Sequence, residues 1–136
     1  MPFEEVPHTA DWCLHAWADG LPALFVEAAR GMNALSGAQP TSGATTHRSL
    51  KLSALDPESL LVAFLSELVY AAEQEHLIFM RFQVGTHEGS DDWDAQIEMD
   101  GSPLASINKT IKAVTYHNLK IQQTERGVEV EIVFDV

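Results

Sequence analysis

Several things are scarce in this chain of 136 residues, and each scarcity removes a class of protein. There is one cysteine, Cys13, so no internal disulfide can form. That usage fits a reducing compartment, and we read the chain as cytoplasmic. No apolar run reaches the roughly eighteen residues of a spanning helix, so no membrane association is expected. The opening, Met1-Pro2-Phe3-Glu4-Glu5, has neither the basic start nor the apolar centre of a signal peptide. Positive charge is short as well. Eight Lys plus Arg stand against twenty Asp plus Glu, a formal net charge of −12. Such a surface repels a phosphate backbone, so direct, tight nucleic-acid binding is not expected. The acidic excess is left to serve a cation, a basic protein partner or plain solubility.

Recognisable catalytic motifs are missing too. Gly31, Gly37 and Gly43 recur without the Lys-Ser/Thr ending of a phosphate loop. The lone cysteine and scattered histidines have no zinc-ligand spacing. Cys13 lies between Trp12 and Leu14 in a strand-like run, which favours a buried inert thiol over a nucleophile. Asp91, Asp92 and Asp94 cluster, but in a stretch that reads as a solvated loop.

What is present suits one domain, residues 1–136. Hydrophobic residues make up 46%, enough for a core without disulfide or metal staples. Phe3 to Val6 and Trp12 to Trp17 read as strands separated by the polar stretch His8-Thr9-Ala10-Asp11. From Leu21 the period changes: Leu24, Phe25, Ala28, Ala29, Met32 and Leu35 form a helical stripe, with Pro22 in its first turn and Gly37 placed to stop it. Ser36 to Thr46 reads as a loop, and Arg48 to Ala54 as an alternating strand. Asp56-Pro57-Glu58-Ser59 is a helix start, followed by Leu60, Leu61, Phe64, Leu65, Leu68, Val69 and Ala72 on one stripe. Leu77 to Val84 is a strand, Gly85 to Asp92 a turn region, and Trp93 to Met99 an alternating strand broken by Gly101-Ser102-Pro103. Lys112 to Gln123 reads as a strand with a bulge near His117, and Arg126-Gly127 as the turn into Val128 to Phe134. The expected fold is α+β, a mostly antiparallel sheet with two main helices packed on one face.

The two chain ends hold the candidate site. Asp11 sits in a turn, and the closing strand ends on Asp135 and Val136. If the ends meet, these supply several of the oxygens that a hard cation such as calcium needs. A lone Asp in a turn is also an ordinary local cap, and spacing alone leaves both readings open.

Taken together, His8-Thr9-Ala10-Asp11, the helix ending near Met32, Leu55-Asp56-Pro57-Glu58-Ser59-Leu60-Leu61, Lys112-Ala113-Val114-Thr115-Tyr116-His117 and Val133-Phe134-Asp135-Val136 resemble the archease family. The resemblance runs along essentially the whole chain in one order and spacing. It implies a non-enzymatic protein cofactor of an RtcB-type RNA ligase, in tRNA splicing or RNA repair. In that role it promotes guanylylation of the ligase histidine and allows multiple turnover. It implies further a divalent cation, typically calcium, held through Asp11, Asp135 and Val136. His8 and His117 fall in the matching motifs as supporting residues, with structural hydrogen bonding as their plainer role. One departure stands out. Many family members carry an acidic residue just after the first helix, where this chain has Ser36-Gly37-Ala38-Gln39. Two other functions compete: a metal-dependent enzyme using Asp11 with His8 or His117 as an acid–base pair, and a chaperone-like interaction module.

Overall fold

Alternation along the closing segment builds the strand on which the first sheet rests. Val128, Val130, Ile132 and Phe134 point one way and Glu129, Glu131, Val133 and Asp135 the other. The structure, a computed structural model, describes residues 2–6 and 12–136. In it the segment forms β9 (Gly127–Asp135), antiparallel to β2 (Trp12–Ala18) in a register running from Trp12 opposite Phe134 to Ala18 opposite Val128. β1 (Phe3–Val6) pairs with the other edge of β2. β7 (Ala113–Val114) and β8 (Gln122–Thr124) pair with β9 near its end and its start, respectively. The result is a five-stranded sheet.

A second, four-stranded antiparallel sheet is centred on β6 (Trp93–Ser106). β4 (Thr46–Ala54) and β5 (Leu77–Glu88) pair with β6, and the short β3 (Gln39–Pro40) joins its C-terminal end. Burial along β4 alternates residue by residue, as its sequence requires. Here the expected single sheet is divided into two, with the α+β class unchanged.

Both helices begin and end where their caps direct. α1 (Leu21–Ser36) has proline in its first turn, and Gly37 closes it at φ 68°, a left-handed conformation that suits glycine. α2 (Pro57–Glu75) is capped by Asp56, whose carboxylate accepts the Ser59 N–H at 2.7 Å. α1 packs on β2 and β5 and so bridges the two sheets, while α2 packs on β4 and β5. Phe25 of α1 stacks on Phe64 of α2 at 5.8 Å, and Phe82 of β5 meets Phe64 edge-on. These rings join Leu14, Ile132 and Phe134 of the first sheet and Ile97 and Met99 of the second in one continuous core. Arg48 ties β4 to the end of α2 through a two-pronged pair with Glu75, both contacts at 2.8 Å.

The structure corrects four further sequence expectations. The loop from Ser36 to Thr46 contains β3. β5 continues past Val84 through Gly85 to Glu88, so the turn is confined to the residues before Trp93. β6 does not stop at Gly101-Ser102-Pro103. A Cβ on Gly101 would collide with the Ile78 carbonyl and the Phe79 ring, so glycine is what lets the strands close up beside the bulge at Met80. Pro103 has no N–H to lose, and its carbonyl accepts the Thr41 N–H at 2.8 Å. Lys112 to Gln123 is not one strand. After β7 the backbone turns, with Asn118 at φ 52° and the Leu119 N–H on the Tyr116 carbonyl, and re-enters as β8.

On the outer face of the second sheet, His47 spans two carboxylates, Asp100 at 2.8 Å and Glu98 at 2.9 Å. Its pKa is raised by the hydrogen bonds to Asp100 and then Glu98. Glu98 is lowered, first by the Ser49 hydroxyl and then by His47. Stability from the raised histidine is complete below its ordinary value of 6.5 and fades as pH climbs through the folded-state value. The share from Glu98 is present above its ordinary 4.5 and fades as pH falls through the lowered value. The melting-temperature gap between the wild type and His47→Gln should therefore peak between those two ordinary values and close on either side. Thermal melts across that range check it.

Candidate functional site at the end of the closing strand

The β2–β9 register sets the site's position. Trp12 is opposite Phe134, and Ala113 of β7 is opposite Asp135 on the other edge of β9. Asp135 thus ends a strand that has a neighbour on each side, with its side chain exposed. Its main-chain carbonyl is engaged by the Lys112 N–H at 2.8 Å, which leaves the carboxylate for a ligand. Val136 follows, half-buried and packed on the core. Asp11 and His8 lie outside the described residues.

The motif strand around β7 is fixed by one carbonyl. Val133 O accepts both the backbone N–H and the hydroxyl of Thr115, each at 3.0 Å. The Thr115 hydroxyl oxygen in turn accepts the His117 N–H at 3.3 Å. His117 and Tyr116 are exposed on the turn that follows, and the Asn118 amide lies 3.3 Å from His117 Nε2. Asp135 and Val136 are neighbours in sequence, and the structure puts His117 on the loop anchored to the same strand. Among the described residues, the His117 ring meets its own neighbour Asn118. Among the described residues, no three His, Cys, Asp or Glu side chains gather as a metal-holding group. Cys13, opposite Val133, is buried, and burial followed by Glu131 pushes its thiol pKa up, which suits an inert thiol.

Two lysines beside the acidic end were not singled out from sequence. Lys109 Nζ lies over the Trp12 ring at 5.6 Å, a cation–π contact, and Lys112 holds the Asp135 carbonyl through its backbone. A signal was available: apart from Lys51, every lysine in this acidic chain falls between Lys109 and Lys120. The segment after α1 is docked on the same stretch, since the Ser36 carbonyl accepts the N–H groups of Asn108 and Lys109 at 2.9 and 3.0 Å. Ser36 and Ala38 are buried and Gln39 is exposed, so this segment brings no carboxylate toward Lys109.

A profile of the archease protein family matches residues 3–136. The chain belongs to the archease family. Protein archease of Methanosarcina mazei is 34% identical, over 98% of this chain and 95% of its own length. That of Methanopyrus kandleri is 29% identical over the full length of both. Among solved structures, a Methanobacterium thermoautotrophicum protein superposes with a TM-score of 0.74 at 23% identity, over 99% of each chain. An archease from Thermotoga maritima, described as a possible chaperone, superposes with a TM-score of 0.66 at 16% identity, over 98% of this chain and 96% of its own. At those identities the two structures bear on the fold alone. It is the archease fold, and the expected class agrees with it.

In this archease-family chain the Thr115 hydroxyl serves two backbone groups at once. Thr115→Val keeps the shape and removes both bonds, and should cost about 1 kcal/mol of stability. Hydrogen exchange at the His117 amide should quicken more than at Ile132, deep in β9. Unchanged protection at His117 would mean that the turn is held by other contacts.

Proposed function

We propose that this archease-family chain is a non-enzymatic activator of an RtcB-type RNA ligase, working through a divalent cation, calcium being the expected one, held by Asp11, Asp135 and Val136. The observation that carries the reading is the pairing of Trp12, the residue after Asp11, with Phe134, the residue before Asp135. Asp135 follows Phe134 at that end of the sheet, and Asp11 precedes Trp12 in the chain. The donor set fits a hard cation, since the exposed Asp135 carboxylate and the main-chain oxygens of Val136 are all-oxygen ligands.

When bound, the cation supplies Lewis-acid stabilisation of charge on a phosphate oxygen. The chain's own residues do the positioning. The Lys112 N–H and the Thr115 hydroxyl fasten the strand end, and Asp135 presents its carboxylate outward for the partner's nucleotide-binding centre. Promotion of histidine guanylylation, and hence multiple turnover in tRNA splicing or RNA repair, is the role this arrangement would serve. The net charge of −12 supports it, because the ligase rather than this chain would hold the RNA.

The test is multiple-turnover RNA ligation by the ligase of the same source, with and without this protein. Stimulation beyond one round should occur with the wild type and fall at least about tenfold with Asp135→Ala, whose circular dichroism stays native. Full stimulation by folded Asp135→Ala would overturn the assignment of the site, and its absence with the wild type would overturn the activator reading.

A further inference from the structure

The segment that approaches the acidic end also walls a pocket of about 250 Å³. Met32 of α1, Leu68 of α2, Ile78 and Phe79 of β5, and Leu104 and Ile111 give it an apolar lining. Two buried polar groups in its wall are engaged within the fold: the Asn33 amide donates to the Phe79 carbonyl at 2.9 Å and the Ser36 hydroxyl to the Asn33 carbonyl at 3.1 Å. The titratable side chains of the lining, Glu73 and His76, are exposed, so the charge sits toward solvent and apolar residues make up most of the rest. The volume falls below the range of roughly 300–1,000 Å³ typical of small-molecule and cofactor sites and suits one large apolar side chain.

Charge at the lining narrows the occupant further. Glu73 and His76 are its titratable side chains. Glu73 is exposed and forms no ion pair among the described residues, its hydrogen bond being a long one from the Gln74 amide at 3.4 Å. One helical turn earlier, Tyr70 is 58% exposed, an aromatic surface next to the acid. The whole chain carries −12. An apolar hole with an unpaired carboxylate at its edge, on a strongly acidic protein, is complementary to an apolar side chain flanked by positive charge.

We propose that this pocket is the docking site for a basic segment of a partner protein, which inserts one aliphatic or aromatic side chain while a neighbouring Lys or Arg meets Glu73. The pocket shares no side chain with Asp135 and Val136, so it stands or falls apart from the cation site.

The experiment titrates the isotope-labelled full chain with a short peptide of lysines and alanines around one leucine, followed by amide chemical shifts. The glutamate-for-lysine counterpart and free indole serve as comparison probes. Saturable shifts centred on Leu68, Ile78 and Ile111 are expected, with binding at least about tenfold weaker for the acidic peptide. Ala72→Phe, which fills the pocket, should abolish them. Should that variant fail to fold, the exposed Glu73→Gln replaces it and should erase the preference for lysine. No saturable shifts at the lining, equal binding of the acidic peptide, or binding unchanged in these variants would overturn the proposal. Indole binding as tightly as the basic peptide would overturn it in favour of a small-ligand cavity.

Discussion

The pairing of β2 with β9 is the constraint from which the rest of the molecule follows. It joins segments near opposite ends of the chain in unbroken register from Trp12–Phe134 to Ala18–Val128. Leu14, Ala16, Val130, Ile132 and Phe134 on its inner face are buried almost completely, and α1 can seat only on a surface already closed in this way. Because side chains alternate, the same register that buries Phe134 turns Asp135 outward. A slip of one residue would bury the carboxylate and expose the phenyl ring, so hydrophobic burial fixes the polar end as firmly as any contact made there.

A second dependence runs through the stretch after β6. Its backbone is fastened to the end of α1 at Ser36 and to the end of β9 at Asp135, and between these points Ile111 is buried and Lys109 lies over Trp12. Thr115 then grips the Val133 carbonyl twice. The exposed polar end is thus supported from behind by buried groups. A carboxylate held on such a frame loses little freedom when it takes a ligand, and preorganisation of this kind raises affinity without adding contacts.

Much of this was legible in the sequence, for local reasons. Asp56-Pro57 with Ser59 announces the start of α2 because a cap is made among neighbours, and Gly37 announces the end of α1 because its left-handed backbone suits glycine. The misreadings share a non-local cause. Gly101-Ser102-Pro103 looks like a breaker, yet contact with Ile78 and Phe79 demands a glycine there and Thr41 uses the Pro103 carbonyl. Leu119 and Ile121 do pack on the core, so apolar spacing suggested a strand. Their backbone is instead held by the turn at Asn118 and by the Glu58 carboxylate on the Ile121 N–H. At the site, Asp135 was legible from its place at a strand end. The contact of Lys109 with Trp12 was not, since the two lie 97 positions apart (109 − 12).

The central claim is that the end of β9 holds a divalent cation through Asp135, and calorimetric titration of calcium into the wild type and Asp135→Asn tests it most directly. The account predicts one saturable site in the wild type, weakened at least about tenfold by the substitution while the melting temperature without metal stays unchanged. Equal affinity in the two proteins would contradict it, as would a wild type that binds neither calcium nor magnesium.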